Sequence, residues 1–158
     1  MIYFDNSATT KVAPEVLKTY QTVSEKIWGN PSSLHAMGET AFNLLEQSRK
    51  QIADLLNVKP HEIFFTSGGT EGDNWVVKGT AIEKRTFGKH LITTAVEHPA
   101  ITNSMEQLRC LGYDITYLPV DKEGRISIKD LEAAIRPDTI LVSIMAVNNE
   151  IGTLQPIK

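Results

Sequence analysis

The chain carries a single cysteine, Cys110, in 158 residues. That excludes an internal disulfide framework and fits a reducing compartment, so a cytoplasmic location is expected. No stretch approaches the roughly 20 apolar residues of a membrane span. A net charge of −3 provides no basic footprint for nucleic acid and no polybasic membrane patch, and neither is expected as a direct partner. The opening MIYFDNSATT lacks a basic region followed by an apolar run, so a signal peptide is not expected. Repeats, low-complexity tracts and obvious linkers are missing too, and no metal site is assigned.

What is present is 41% hydrophobic and 22% charged sequence, enough for one globular core. Helical spacing is read over 14–26, which opens with Pro14 in the first turn where a missing N–H costs least, and again over 36–56. Between them, WGNPSSLHAMG is a dense run of breakers and reads as a loop. A regular alternation follows: strand at 63–66, helix at 70–83, strand at 90–94, helix at 99–111, strand at 113–120. Ser127 then caps a short helix with Asp130 three residues on. The continuous apolar run TILVSIMAV (139–147) reads as a strand buried on both faces. Strands recurring about every 25 residues with helices between them indicate βαβ units and a mostly parallel sheet with flanking helices. Ligands of such α/β folds gather at the carboxyl ends of the strands. After the last strand, NNEIGTLQPIK brings no closing helix, and the expectation is that these residues form part of a longer protein.

Three polar segments fall at those carboxyl ends. The first is FFTSGGTEGDN (64–74), where a strand runs into a small-residue loop that opens a helix. Backbone N–H groups and the helix dipole make such a junction an anion site. It lacks the Gly-Lys-Ser/Thr ending of a nucleotide P-loop and fails Gly-x-Gly-x-x-Gly. With no lysine to balance a polyphosphate, one phosphate monoester suits it better. A plain helix start with Ser/Thr capping remains the alternative. The second is His98 in TTAVEHPAI, which is either a hydrogen-bonded structural residue or a flat ring able to stack on an aromatic cofactor and pass protons. The third is the pair Asn148 and Asn149, read as a strand-ending turn or as donor and acceptor for a ring substituent. Together the three describe a site for a planar ring bearing one phosphate, as in pyridoxal 5'-phosphate.

The segments YFDNSATT, GNPSSLHAMG, FFTSGGTEGDN, VEHPAI and SIMAVNNEIGTLQPI, in this order, closely resemble the cysteine desulfurases of the NifS/IscS type. The resemblance implies the aspartate-aminotransferase-like fold (fold type I) and pyridoxal phosphate as cofactor. It implies a homodimer, with L-cysteine converted to L-alanine and its sulfur left as a persulfide on a cysteine. That sulfur would pass to an iron–sulfur scaffold protein or a tRNA-thiolation enzyme. By the same resemblance Gly69 and Thr70 bind the cofactor phosphate, His98 stacks on the pyridine ring and takes part in proton transfer, and Asn149 reaches the ring hydroxyl. Ser7, Ala8, Thr9, Asn30 and His35 resemble segments bordering the substrate. Residues 1–12 would then be a segment near the active site, and 13–158 the amino-terminal part of the cofactor-binding large domain. The family's cofactor-anchoring lysine lies in a Ser-x-His-Lys segment, with an aspartate for the pyridine nitrogen upstream and the persulfide cysteine beyond, and none of these occurs in the 158 residues. Lys89 begins a strand, and Cys110, in helical MEQLRCLGY, is expected to be a semi-buried structural thiol. These residues by themselves are therefore expected to lack desulfurase turnover. Another fold type I enzyme, such as an aminotransferase or selenocysteine lyase, and a non-catalytic binding or assembly module are the alternatives.

Overall fold

A computed structural model describes residues 2–157. The chain divides into two compact units, Met1–Phe65 and Thr66–Lys158.

The first unit is built on two helices. Helix α1 (Pro14–Lys26) starts on its proline, with Glu15 in the first turn and Lys26 in the last, both favourable to the helix dipole. Helix α2 (Ala36–Leu56) is capped by His35, whose Nδ1 accepts the Gly38 N–H at 3.3 Å. It ends on Asn57 in the left-handed conformation (φ 54°), which asparagine tolerates better than most residues. The loop 29–38 closes tightly over Gly38, where a Cβ would lie 2.2 Å from the Ser33 carbonyl oxygen and 2.9 Å from that of Asn30. The strand expected at 63–66 is not formed. Ile63 is extended (φ −99°, ψ 125°), but no ladder partner is present among the described residues. Its carbonyl instead accepts from the Arg49 guanidinium, which also lies 4.9 Å above the Phe65 ring. Extended backbone becomes a strand only when a neighbour pairs with it.

The second unit holds helix α3 (Gly69–Glu83), strand β1 (His90–Thr94), helix α4 (Pro99–Cys110), strand β2 (Asp114–Leu118), helix α5 (Ile128–Ala134) and strand β3 (Thr139–Val142). The sheet order is β2-β1-β3 and both pairings are parallel, as the alternation of elements requires. All five residues of the central strand are buried. Side chains alternate across it. Leu91 joins Val77 and Ala81 of α3 with Ile101, Met105 and Leu108 of α4, while Ile92 joins Leu118 and Ile126, with Leu131 of α5 packed against them. His90, fully buried, ties the three strands together. Its Nδ1 lies 2.7 Å from Thr139 Oγ1 and its Nε2 2.8 Å from Thr116 Oγ1.

Two expectations are corrected here. The apolar run 139–147 yields only a four-residue strand, and it is half-buried rather than covered on both faces. Its register with β1 shifts after His90. It is paired on one side only among the described residues, and Ser143 N donates to the Ile92 carbonyl (2.9 Å) as the last such bond. Cys110, at the last turn of α4, is exposed rather than semi-buried, because the face of α4 that enters the core carries Ile101, Met105 and Leu108.

Candidate functional site

Helix α3 begins directly on the diglycine. Gly68 is its N-cap in an extended conformation, with no side-chain cap. The first ladder bond runs from Gly72 N to the Gly68 carbonyl (3.2 Å), so the N–H groups of Gly69, Thr70 and Glu71 precede the ladder and have no intrahelical acceptor. The loop is open at both glycines: a Cβ on Gly68 or on Gly69 would meet no atom within 4 Å. The Glu71 carboxylate turns back to accept the Ser67 N–H (2.6 Å) and the Ser67 hydroxyl (2.7 Å). Those two bonds, backbone first, hold its pKa below the usual 4.5. Ser67 is thereby withdrawn from anion binding, which leaves the helix N–H groups and the exposed Thr70 as donors. The arrangement fits a single phosphate group.

His98 is the N-cap of α4, four residues beyond β1, and is exposed. Its Nδ1 accepts the Ala100 N–H at 3.1 Å. The neutral ring is thus held as the Nε2–H tautomer, with the outer nitrogen free to donate. Asn149 is also exposed, at the tip of a tight turn, its Nδ2 donating to Glu150 Oε1 (3.3 Å). The neighbouring Asn148 builds that turn. Its buried Oδ1 accepts from Glu150 N (2.9 Å) and Ile151 N (3.0 Å), and Gly152 supplies the positive φ of 71° that lets the chain reverse.

Sequence reasoning missed how these loops are joined. Glu97 Oε1 accepts the Met145 N–H (2.8 Å) and the Thr94 hydroxyl (3.1 Å). Burial raises its pKa, those bonds oppose the rise, and the charge of Asp73 in α3 adds to it. Asn148 Nδ2 donates to the Val96 carbonyl (3.0 Å). The β1–α4 loop with His98 and the turn with Asn149 are therefore tied together by Asn148 and by Glu97. Its one visible signal was its place directly before His98 at a strand end.

The remaining expected residues lie in the first unit. Ser7 and Ala8 lie in a turn, followed by Thr9, in which the N–H groups of Ala8 and Thr9 donate to the Asp5 carbonyl (3.3 and 3.4 Å). Asn30 Oδ1 accepts from Ser32 N (2.9 Å), and His35 caps α2 as described above. A surface depression of about 540 Å³ is lined by Ser33, Leu34, His35 and Phe42, among others. Among the described residues no group of three His, Cys, Asp or Glu side chains is placed to hold a metal ion, and no helix is long and apolar enough to cross a membrane.

A parallel α/β sheet with loops gathered at the carboxyl ends of its strands has the layout in which open α/β proteins bind their ligands. Residues 2–158 match the family described as aminotransferase class-V, and the chain belongs to that family. It is 64% identical, over its whole length, to the NifS/IcsS protein homolog of Lactobacillus delbrueckii subsp. bulgaricus, covering 41% of that protein. It is 50% identical over 99% of its length to the cysteine desulfurase IscS of Methanosarcina thermophila, covering 39% of it. Among solved structures, a NifS-like protein superposes with a TM-score of 0.96 at 43% identity, over 98% of this chain and 43% of that one. A structure described as SspA in complex with cysteine superposes at 0.93 with 42% identity, over 98% of this chain and 44% of that one. The expected α/β fold is thus the fold of NifS-like proteins, and the chain spans about two fifths of the length of the curated relatives it matches.

Proposed function

We propose that the chain forms the phosphate-holding edge of a pyridoxal 5'-phosphate-dependent cysteine desulfurase. The observation that carries this reading is the α3 start: three N–H groups ahead of the helix ladder, beside two glycines with open space at their Cβ positions. The N–H groups of Gly69 and Thr70 and the Thr70 hydroxyl hold the phosphate. His98 would stack on the pyridine ring, and Asn149 would reach the ring hydroxyl. When bound, pyridoxal phosphate supplies an electron sink for bond changes at the substrate's α-carbon. His98 holds or passes a proton at Nε2, since Nδ1 is committed to Ala100 N–H. Ser7, Ala8, Thr9, Asn30 and His35 border the substrate.

L-cysteine as substrate, converted to L-alanine, is supported by the names of the relatives and by the SspA structure with cysteine. Passage of sulfur to an iron–sulfur scaffold or a tRNA-thiolation enzyme, a homodimeric state and a cytoplasmic location belong to the same proposal. So do the division at residues 12 and 13 and the lack of turnover by the 158 residues alone, which contain no lysine in the family's anchoring context.

The test is titration of the chain with pyridoxal phosphate and with pyridoxal, followed by phosphorus NMR and cofactor fluorescence. Pyridoxal phosphate is expected to bind at least about tenfold more tightly, the worth of one charge-assisted hydrogen bond. Gly69→Asp, which puts a carboxylate into the cradle, is expected to erase the difference. Equal affinity for the two ligands in the unsubstituted chain rejects the reading.

A further inference from the structure

The two exposed side chains proposed to meet the cofactor ring sit on loops that lie 51 residues apart in the chain. Neither loop is in the ladder of β1 with β3, which ends at Val142, so regular sheet hydrogen bonding does not set their relative position. Two reciprocal bonds cross the gap instead. Glu97 reaches from the His98 loop to the backbone N–H of Met145. Asn148 reaches back from the Asn149 turn to the backbone carbonyl of Val96. Each of these side chains is the immediate sequence neighbour of one of the exposed residues. Each is also held at its own end: Glu97 Oε1 accepts from Thr94 Oγ1 as well, and Asn148 Oδ1 accepts from the N–H groups of Glu150 and Ile151. Asn148 is 6% exposed, so its amide is shielded from competing water.

We propose that Glu97 and Asn148 form a two-bond latch that sets His98 against Asn149, making both of them positioning residues for the cofactor ring. The latch rests on the functional reading given above for what the ring is, but not for the bonds themselves. A side chain reaching across from each loop, with both bonds donated by the 145–148 segment, resists both separation and sliding of the two loops, which one bond does not. Glutamine at 97 keeps an acceptor oxygen for the Met145 N–H, whereas leucine keeps none. Aspartate at 148 keeps the acceptor that builds the turn and loses the donor to Val96, facing a carbonyl with a carboxylate instead.

Amide hydrogen exchange, His98 ring nitrogen NMR and pyridoxal phosphate affinity are to be measured on the full chain and on Glu97→Leu, Glu97→Gln and Asn148→Asp. Glu97→Leu is expected to lower protection of the Met145 amide by about tenfold, shift the His98 ring signals and weaken cofactor binding by a similar factor. Glu97→Gln is expected to restore all three to within about threefold of the original, a rescue that loss of general packing does not produce. Asn148→Asp, which serves also if Glu97→Leu does not fold, is expected to weaken the cofactor while the Glu150 and Ile151 amides stay protected. Unchanged His98 signals and affinity in both Glu97→Leu and Asn148→Asp overturn the latch. If the original chain binds no pyridoxal phosphate, the functional reading fails, and the His98 and Met145 signals decide the latch by themselves.

Discussion

Replacing His90 with leucine isolates what the buried imidazole contributes. Leucine fills most of the space, so the main losses are the bonds to Thr139 Oγ1 (2.7 Å) and Thr116 Oγ1 (2.8 Å). The Thr139 hydroxyl still accepts from Arg136 N at 2.8 Å, whereas the Thr116 hydroxyl loses the partner that spanned two strands. Two bonds at about 1 kcal/mol each, with one hydroxyl left short of a partner, amount to about 2–4 kcal/mol. In a chain of this length that lowers the melting midpoint by roughly 5–15 °C. The same variant carries a pH signature. Burial, and then the charge of Arg136, push the His90 pKa below 6.5, against the opposing charges of Asp114 and Asp138. Its pKa is therefore lower folded than unfolded, and the unfolded chain binds the extra proton between the two values. The contribution of the neutral ring is complete above pH 6.5 and lost as pH falls through the folded pKa. Urea unfolding followed by circular dichroism between pH 5 and 8 is the assay. The original chain is expected to lose stability toward acid more steeply than the variant. A variant with an unchanged urea midpoint and the same acid slope refutes the reasoning.

Three further outcomes are expected. Gly38→Ala drives a Cβ to 2.2 Å from the Ser33 carbonyl oxygen, so it should cost about 1–3 kcal/mol in thermal melts and speed proteolysis within 29–38. Carbon NMR titration of Glu71 should give a midpoint below 4.5, moving upward in Ser67→Ala as the hydroxyl bond is lost. Because that pKa is lowered on folding, the order it lends the start of α3 is present at neutral pH and fades as pH falls through the folded value. Cys110, being exposed, should react with an aromatic disulfide reagent in the native chain as fast as in urea, and a marked protection in the native chain contradicts its placement.

What could be read from the sequence was local. Pro14 at the first turn and the helical spacing of 36–56 gave the bounds at which α1 and α2 are found, and Ser127 caps α5 by accepting the Asp130 N–H (3.2 Å). The alternation of elements implied a parallel sheet, and the small-residue loop before residue 70 implied the helix that opens there. Each of these depends on residues within about one turn or one strand of each other. The tertiary structure alone decided the rest. The segment expected as a strand at 63–66 is not one, and β3 ends at Val142 with its residues only half-buried or exposed. Residues 26 and 49 positions away settle the partners of His90, and Glu97 and Asn148 meet theirs across 48 and 52 positions. Periodicity and capping carry no information at such separations. A buried carboxylate or imidazole looks in sequence like any other polar residue until the chain has closed around it.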